Sequence, residues 1–217
     1  MLERTIRKSI IAAAQAMSGL GINQGVSGNI SVRSGESMLI TPTATAYEAL
    51  TPAMIARMQL DGGEDWNGPL KPSSEWRFHR DILRARADVG AVVHTHATYA
   101  TVLSMLRRNI PATHYMIAAF GGPDVRCTDY APYGTQELSD RVLEGLRDRQ
   151  GVLLGNHGMI VTGRDLDAAM WRAVELEALA KQTYLAMALG QPVILPDDEI
   201  MRTVERFMAY GVAKTGA

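Results

Sequence analysis

A single cysteine, Cys127, among 217 residues excludes an internal disulfide framework and fits a reducing, cytoplasmic setting. An excess of one charge is also lacking: 22 Lys and Arg stand against 23 Asp and Glu. The basic residues are scattered, so no basic face is offered to nucleic acid. No apolar run is long enough to span a bilayer, and no membrane partner is expected. Neither GxGxxG nor a P-loop occurs, which leaves nucleotide binding without a motif. No repeat, low-complexity stretch or linker divides the chain, and its length predicts one domain over residues 1–217.

The nearest approach to a targeting signal is Arg4, Arg7 and Lys8 ahead of SIIAAAQAM. Its uninterrupted apolar stretch, Ile10 to Ala14, is shorter than the about 7–15 residues that a signal peptide needs. Ile6, Ile10, Ala14 and Met17 recur at helical spacing instead, which predicts an amphipathic helix. The sequon Asn29-Ile30-Ser31 is then a chance match, because glycosylation requires secretion.

What is present mixes short β-rich runs with helices. The opening helix should stop near Leu20, with Gly21 just past its end. Asn29–Arg33 and Ser37–Thr41 flank Ser-Gly-Glu as a hairpin, and Met54–Leu60 suits a short helix or a strand. A serine-capped helix is expected from Ser73-Ser74-Glu75 to about Arg86, then a strand at Ala91–His96 and a helix at Ala97–Leu106. His114-Tyr115 belongs to a strand or loop. Thr135 caps a helix through Arg147, and strands Val152–Leu154 and Met159–Thr162 flank Gly155-Asn156-His157-Gly158. A long helix from Asp165 to Gly190 and a last one around Asp197–Tyr210 complete the chain. Hairpins mixed with helices predict an α/β/α sandwich with a largely antiparallel central sheet.

The chemistry begins with VVHTHATYA, residues 92–100, where His94 and His96 sit two apart on a strand and face one way. Either histidine alone fits an ordinary hydrogen-bonded core residue. Two on one face can serve one metal ion, and a catalytic zinc needs three protein ligands and an open position. His157, in GNHG, is one candidate for the third. His79, four residues after Glu75 on one helix face, forms a rival pair with it, and spacing alone leaves both sets open. Ser73 and Ser74 at a helix N-terminus offer hydroxyls beside unpaired N–H groups, an arrangement that suits an anion.

Taken together, NQGVSGNISVR, MLITPT, PSSEWRFH, VVHTHA, IPATHYMIAA and GNHG resemble the class II aldolase/epimerase family from Leu20 to Tyr210. The resemblance implies that His94, His96, His157 and Glu75 hold Zn2+ or another divalent transition metal, with Glu75 also the catalytic base. His79 drops out of the set. Gly28, Asn29, Thr43, Ala44, Ser73 and Ser74 would hold a substrate phosphate. Tyr115 would serve a neighbouring subunit's site in a homotetramer, and Tyr133, Phe207 and Tyr210 would lie near the aldehyde. The implied reaction is reversible cleavage of a ketose 1-phosphate, either L-fuculose 1-phosphate or a 5-deoxy- or 5-methylthio-ribulose 1-phosphate. Its products are dihydroxyacetone phosphate and an aldehyde. The same scaffold also supports sugar-phosphate 4-epimerases, a methylthioribulose-1-phosphate dehydratase and the non-catalytic adducin head. Glu75, where the epimerase branch carries aspartate, and IPATHYM, which resembles the aldolase better than the dehydratase, favour the aldolase. Retention of Glu75 and all three histidines argues against the adducin-like scaffold. One departure stands out: Ala44 occupies a position where the pattern has glycine, so a methyl group enters the proposed phosphate turn.

Overall fold

Alternation along the strands assigns each face of the sheet its own core. The computed structural model describes residues 2–212, with side chains to Phe207. Among these residues one eight-stranded sheet is formed, in the order β3-β2-β1-β4-β8-β7-β6-β5. Its central strands are β1 (Asn29–Ser34), β4 (Ala91–Thr95), β8 (Gly158–Gly163) and β7 (Gly151–Leu154). The outer ones are β2 (Ser37–Ile40) and β3 (Ala56–Gln59) on one side, β6 (Asp124–Cys127) and β5 (Ile110–Pro111) on the other. In β4, Ala91 and Val93 join one core while Val92 joins the other. Leu39 in β2 and Met159 and Val161 in β8 follow the first face; Met38, Ile40 and Ile160 follow the second.

Helices cover both faces. The first core is closed by α1 (Leu2–Gly19), α3 (Thr98–Met105), α5 (Leu166–Leu189) and α6 (Asp197–Val212). The second is closed by α2 (Trp76–Ala85) and α4 (Gln136–Gly145). Each wholly buried Ile, Leu or Phe in these layers contributes about 1.5–3 kcal/mol, so register is strongly specified. A one-residue slip of β4 would exchange its faces and carry His94 away from α2. The opening helix ends as expected: Gly21 adopts φ +72°, and the Ile22 N–H donates to Met17 O at 3.1 Å.

The sheet is largely antiparallel, but the β6–β7 pair is parallel, so the sheet is mixed. β5 and β6 are not anticipated by the sequence, because two residues are too short to display a periodicity and Asp124–Cys127 offers Val125 as its only β-branched residue. Pro111, which has no N–H for a ladder, sits at the sheet edge. The ambiguous 54–60 segment becomes a 3-10 turn, Pro52–Met54, followed by β3. His114 and Tyr115 are on neither a strand nor a plain loop: His114 caps a 3-10 helix, Tyr115–Phe120, by accepting from Met116 N–H.

The expected serine cap of α2 is corrected. Glu75 is the N-cap residue, and no side chain accepts a capping hydrogen bond. Ser73 belongs to the turn before the helix, its Oγ accepting from Glu75 N–H at 3.3 Å and its carbonyl from Trp76 N–H at 3.1 Å. The carboxylate of Glu75 is thereby free to face β4. Thr135 and Asp165 do cap α4 and α5 as predicted, accepting from Leu138 N–H and Ala168 N–H.

Candidate metal centre and active site

His94 is placed by the ladder between β4 and β8. Its Nδ1 lies 2.9 Å from Met159 O, and since a carbonyl only accepts, Nδ1 carries the proton. Nε2 is left with a lone pair, the form a metal binds. His96 follows one residue beyond the end of β4, yet its Nε2 lies 3.1 Å from that of His94. Its backbone N–H donates to Asn23 Oδ1 at 3.2 Å, which fixes the chain as it leaves the sheet.

His157 comes from the turn between β7 and β8. Asn156 takes φ +56° just before it, a conformation Asn tolerates better than most residues. Gly158 follows because there is no room for a side chain: an added Cβ would lie 2.5 Å from Thr95 O and 2.9 Å from His96 Cδ2. The turn therefore lies directly on the end of β4. The three ring centroids form a nearly equilateral triangle, 5.0, 4.9 and 4.9 Å on a side, with the rings edge-on to one another.

Glu75 closes the cluster. Its Oε2 accepts from Asn29 Nδ2 at 3.0 Å and lies 3.2 Å from His94 Nε2, while Oε1 lies 3.3 Å from His157 Nε2. Oε1 is buried without a hydrogen-bond partner among the described residues. A buried, unsatisfied carboxylate oxygen facing a ring nitrogen of His157 calls for a cation. Ligating atoms of His94, His96 and His157 all lie within 4.8 Å of one another. Bonds of ~2.0–2.1 Å in tetrahedral geometry would set such nitrogens roughly 3.3 Å apart, close to the separation of the first pair. The donor set fits a divalent transition metal.

Protonation states agree with this fit. Burial, followed by the proximity of His94, lowers the pKa of His96 and of His157 to about 4, so both are neutral ligands near pH 7. Burial opposes the charge of Glu75, but its contacts with His94 and His157 in the metal-free pocket, where a proton stands in for the cation, and the Asn29 amide outweigh it and hold the carboxyl well below its usual range. His79, the rival ligand, is fully buried and points elsewhere. Its ring nitrogens meet Ser31 Oγ and Asn29 Oδ1.

Beside this cluster opens a cavity of ≈ 340 Å³ lined by Ser74, Glu75, His96, His157, Asn156, Ala131, Tyr130 and Tyr133. Tyr133, expected near an aldehyde, is one of its lining residues. Tyr130 is a lining residue missed by sequence reasoning, although the aromatic pair in DYAPYG was its signal. Asn23 and Tyr47 were also missed: Tyr47 OH donates to Gly28 O at 2.6 Å and receives Asn23 Nδ2 at 3.3 Å, bracing the start of β1. Such buried bracing residues have no local motif.

The expected phosphate residues gather near the N-terminus of α2. Ser73 N–H donates to Thr41 O and Thr43 N–H to Lys71 O, which sets Thr43 and Ala44 alongside Ser73 and Ser74. Gly28 enters β1 where an added Cβ would stand 2.9 Å from His94 O. Ala44 adopts φ +47°, so the turn forms despite the methyl group, at roughly 1–2 kcal/mol of strain. The Asn29 side chain is engaged on both sides, by Glu75 and His79. Tyr115 is half exposed and does not line the cavity of its own chain. Phe207 packs against the first core and does not line it either. Tyr210 lies outside the residues whose side chains are described.

Comparison with known proteins agrees with this geometry. Residues 8–184 match the family described as class II aldolase and adducin N-terminal domain. A 5-methylthioribulose-1-phosphate/5-deoxyribulose-1-phosphate aldolase of Rhodospirillum rubrum is 50% identical over 206 residues, covering 95% of this chain and 92% of the relative. An L-fuculose phosphate aldolase of Escherichia coli is 45% identical over 214 residues, 98% of each chain. Among solved structures, an L-fuculose 1-phosphate aldolase superposes with a TM-score of 0.91 at 36% identity, covering 94% of this chain and 96% of the other.

Proposed function

The chain belongs to the class II aldolase and adducin N-terminal domain family and is an aldolase of ketose 1-phosphates, and we propose that it works through a zinc ion held by His94, His96, His157 and Glu75. The observation that carries this reading is the buried carboxylate of Glu75 set against two of three convergent imidazoles, its unpartnered Oε1 towards His157 and its Oε2 towards His94. Zinc at that point supplies a Lewis acid for the negative charge that develops on the ketose oxygens as C3–C4 breaks. Ser73, Ser74, Thr43 and the backbone at Gly28 and Ala44 receive the phosphate at the positive end of α2 and orient the chain of carbons. Tyr115 of a neighbouring copy takes the proton of the C4 hydroxyl as it passes its own phenolic proton to solvent, the C3–C4 electron pair remains with C3, and the aldehyde departs. Glu75 takes up a proton from solvent and delivers it to C3, which gives dihydroxyacetone phosphate and returns the carboxylate; in the reverse direction Glu75 removes that proton. Tyr130 and Tyr133 form the wall that the aldehyde end meets.

The aldehyde is selected by contact area against that wall, where one methylene is worth only ~1–3 kcal/mol. Phosphate recognition is charge-assisted and stricter. Incubation with L-fuculose 1-phosphate, 5-deoxyribulose 1-phosphate and 5-methylthioribulose 1-phosphate should release dihydroxyacetone phosphate from all three. Unphosphorylated ketoses should be cleaved poorly. Absence of cleavage across the phosphorylated series, with metal bound, would refute the substrate class.

The catalytic tyrosine is assigned to a homotetramer with sites between subunits, since Tyr115 is half exposed and does not line the cavity of its own chain. Mixing Tyr115→Phe chains with Glu75→Gln chains should restore cleavage that neither parent shows, because some sites then pair an intact Glu75 with an intact Tyr115. A monomer in light scattering that turns over fully would contradict the shared site.

A further inference from the structure

His79 is wholly buried on α2, stacked on Phe78 at 4.7 Å between ring centroids, and no step above uses it. Its Nδ1 lies 2.8 Å from Ser31 Oγ and its Nε2 lies 2.5 Å from Asn29 Oδ1. The other end of the same amide, Asn29 Nδ2, donates to Glu75 Oε2 at 3.0 Å. An ionised carboxylate can only accept, so the amide must turn its NH2 to Glu75 and its carbonyl to His79. The carbonyl in turn requires the proton on Nε2, which leaves Nδ1 to accept from the Ser31 hydroxyl. Burial keeps the ring neutral, lowering its pKa to about 3, and a neutral ring has one donor and one acceptor to match these two partners. The chain Ser31–His79–Asn29–Glu75 therefore has a single direction. Flipping the amide would set a carbonyl against a carboxylate and two N–H groups against each other.

We infer that His79 is a positioning residue for Glu75, acting through Asn29: it locks the amide so that an N–H, and never a carbonyl, faces the carboxylate. The inference rests on Glu75 being the base. It also gives His79 a reason to stand four residues after Glu75 without binding metal. The lock keeps the Glu75 carboxylate in one rotamer between the histidines, where an unlocked amide would let it turn away.

The test uses the metal-loaded enzyme and reads cleavage together with exchange of the C3 proton of dihydroxyacetone phosphate. His79→Phe keeps the ring stack and removes both ring nitrogens. His79→Gln returns an N–H near the place of Nε2. His79→Phe should lower kcat about 10- to 100-fold, the range for losing a group that orients a metal-site residue, with KM unchanged and with the variants compared at equal zinc content. His79→Gln should recover most of that loss. In an Asn29→Ala background the same His79→Phe change should add nothing further, since its path to Glu75 is already cut. Ser31→Ala, which alters little volume, should give a smaller loss in the same direction and carries the test if the His79 variants fold poorly. Wild-type kcat in His79→Phe, or an undiminished extra loss on top of Asn29→Ala, would overturn the inference. Glu75→Gln run in parallel separates the two readings. If it leaves exchange intact, the base assignment fails; if it abolishes exchange while His79→Phe and Ser31→Ala do not slow it, only the lock fails.

Discussion

Glu75→Gln should reduce cleavage, and exchange of the C3 proton of dihydroxyacetone phosphate, by ~10²-fold or more. Glutamine has the shape of glutamate and its carbonyl can still accept from Asn29 Nδ2, so the local hydrogen bond at 3.0 Å is preserved. What it cannot do is take up and return a proton near neutral pH. Because the His94 and His157 rings and the Asn29 amide favour the ionised carboxyl, the native side chain is ready to accept that proton throughout the neutral range. Substrate affinity should change by only a few-fold, since the phosphate residues are untouched. Rapid-quench cleavage and deuterium wash-in at C3, measured on the same preparation, check both halves of this expectation. Exchange at the wild-type rate would return Glu75 to a purely structural role.

Removing the metal should have the larger effect, loss of measurable cleavage, with far-ultraviolet circular dichroism almost unchanged. The secondary structure does not depend on the site: β4, β7 and β8 are held by their own ladders and by cores on both faces. Re-addition of zinc should restore activity, and His157→Ala should lower metal occupancy sharply. Loading should be nearly constant from pH 8 to 6 and fail only as the pH approaches about 4. The sign follows from His96 and His157, whose pKa is lowered to about 4 in the metal-free protein, so protons displace metal only below the neutral range. Atomic absorption on chelated, reconstituted and variant protein provides the measurement. Undiminished cleavage in protein shown to contain no metal would refute the assignment.

Most of the elements were legible in the sequence because their signals are local. Thr135 and Asp165 precede helical periodicities and do cap α4 and α5. The Ser-Gly-Glu turn marked the β1–β2 hairpin, and the β-branched run in AVVHT marked a strand, which is buried along its whole length. The residue types of the metal cluster were legible too, as an HxH pair and one glycine-flanked histidine. The sequence by itself determined an α/β/α sandwich and a short set of ligand candidates.

Only the tertiary structure decided among those candidates. His79 and His157 are both plausible by spacing, but β4 pairs with β8, and the β7–β8 turn then brings His157 to His94 and His96. The same pairing of β1 with β4 sets Asn29 opposite His94 and leaves His79 to Asn29 and Ser31. Local pattern likewise misplaced the cap of α2, because Ser73 is spent on the preceding turn and Glu75 occupies the N-cap. β5 and β6 were invisible for a related reason: with little β-branched patterning of their own, they exist only because a neighbour satisfies their backbone groups. Spacing along a chain specifies which way a side chain points within its own element. Which elements become neighbours is settled by the burial of both sheet faces and the pairing of every strand, and which histidine joins His94 and His96 follows from that.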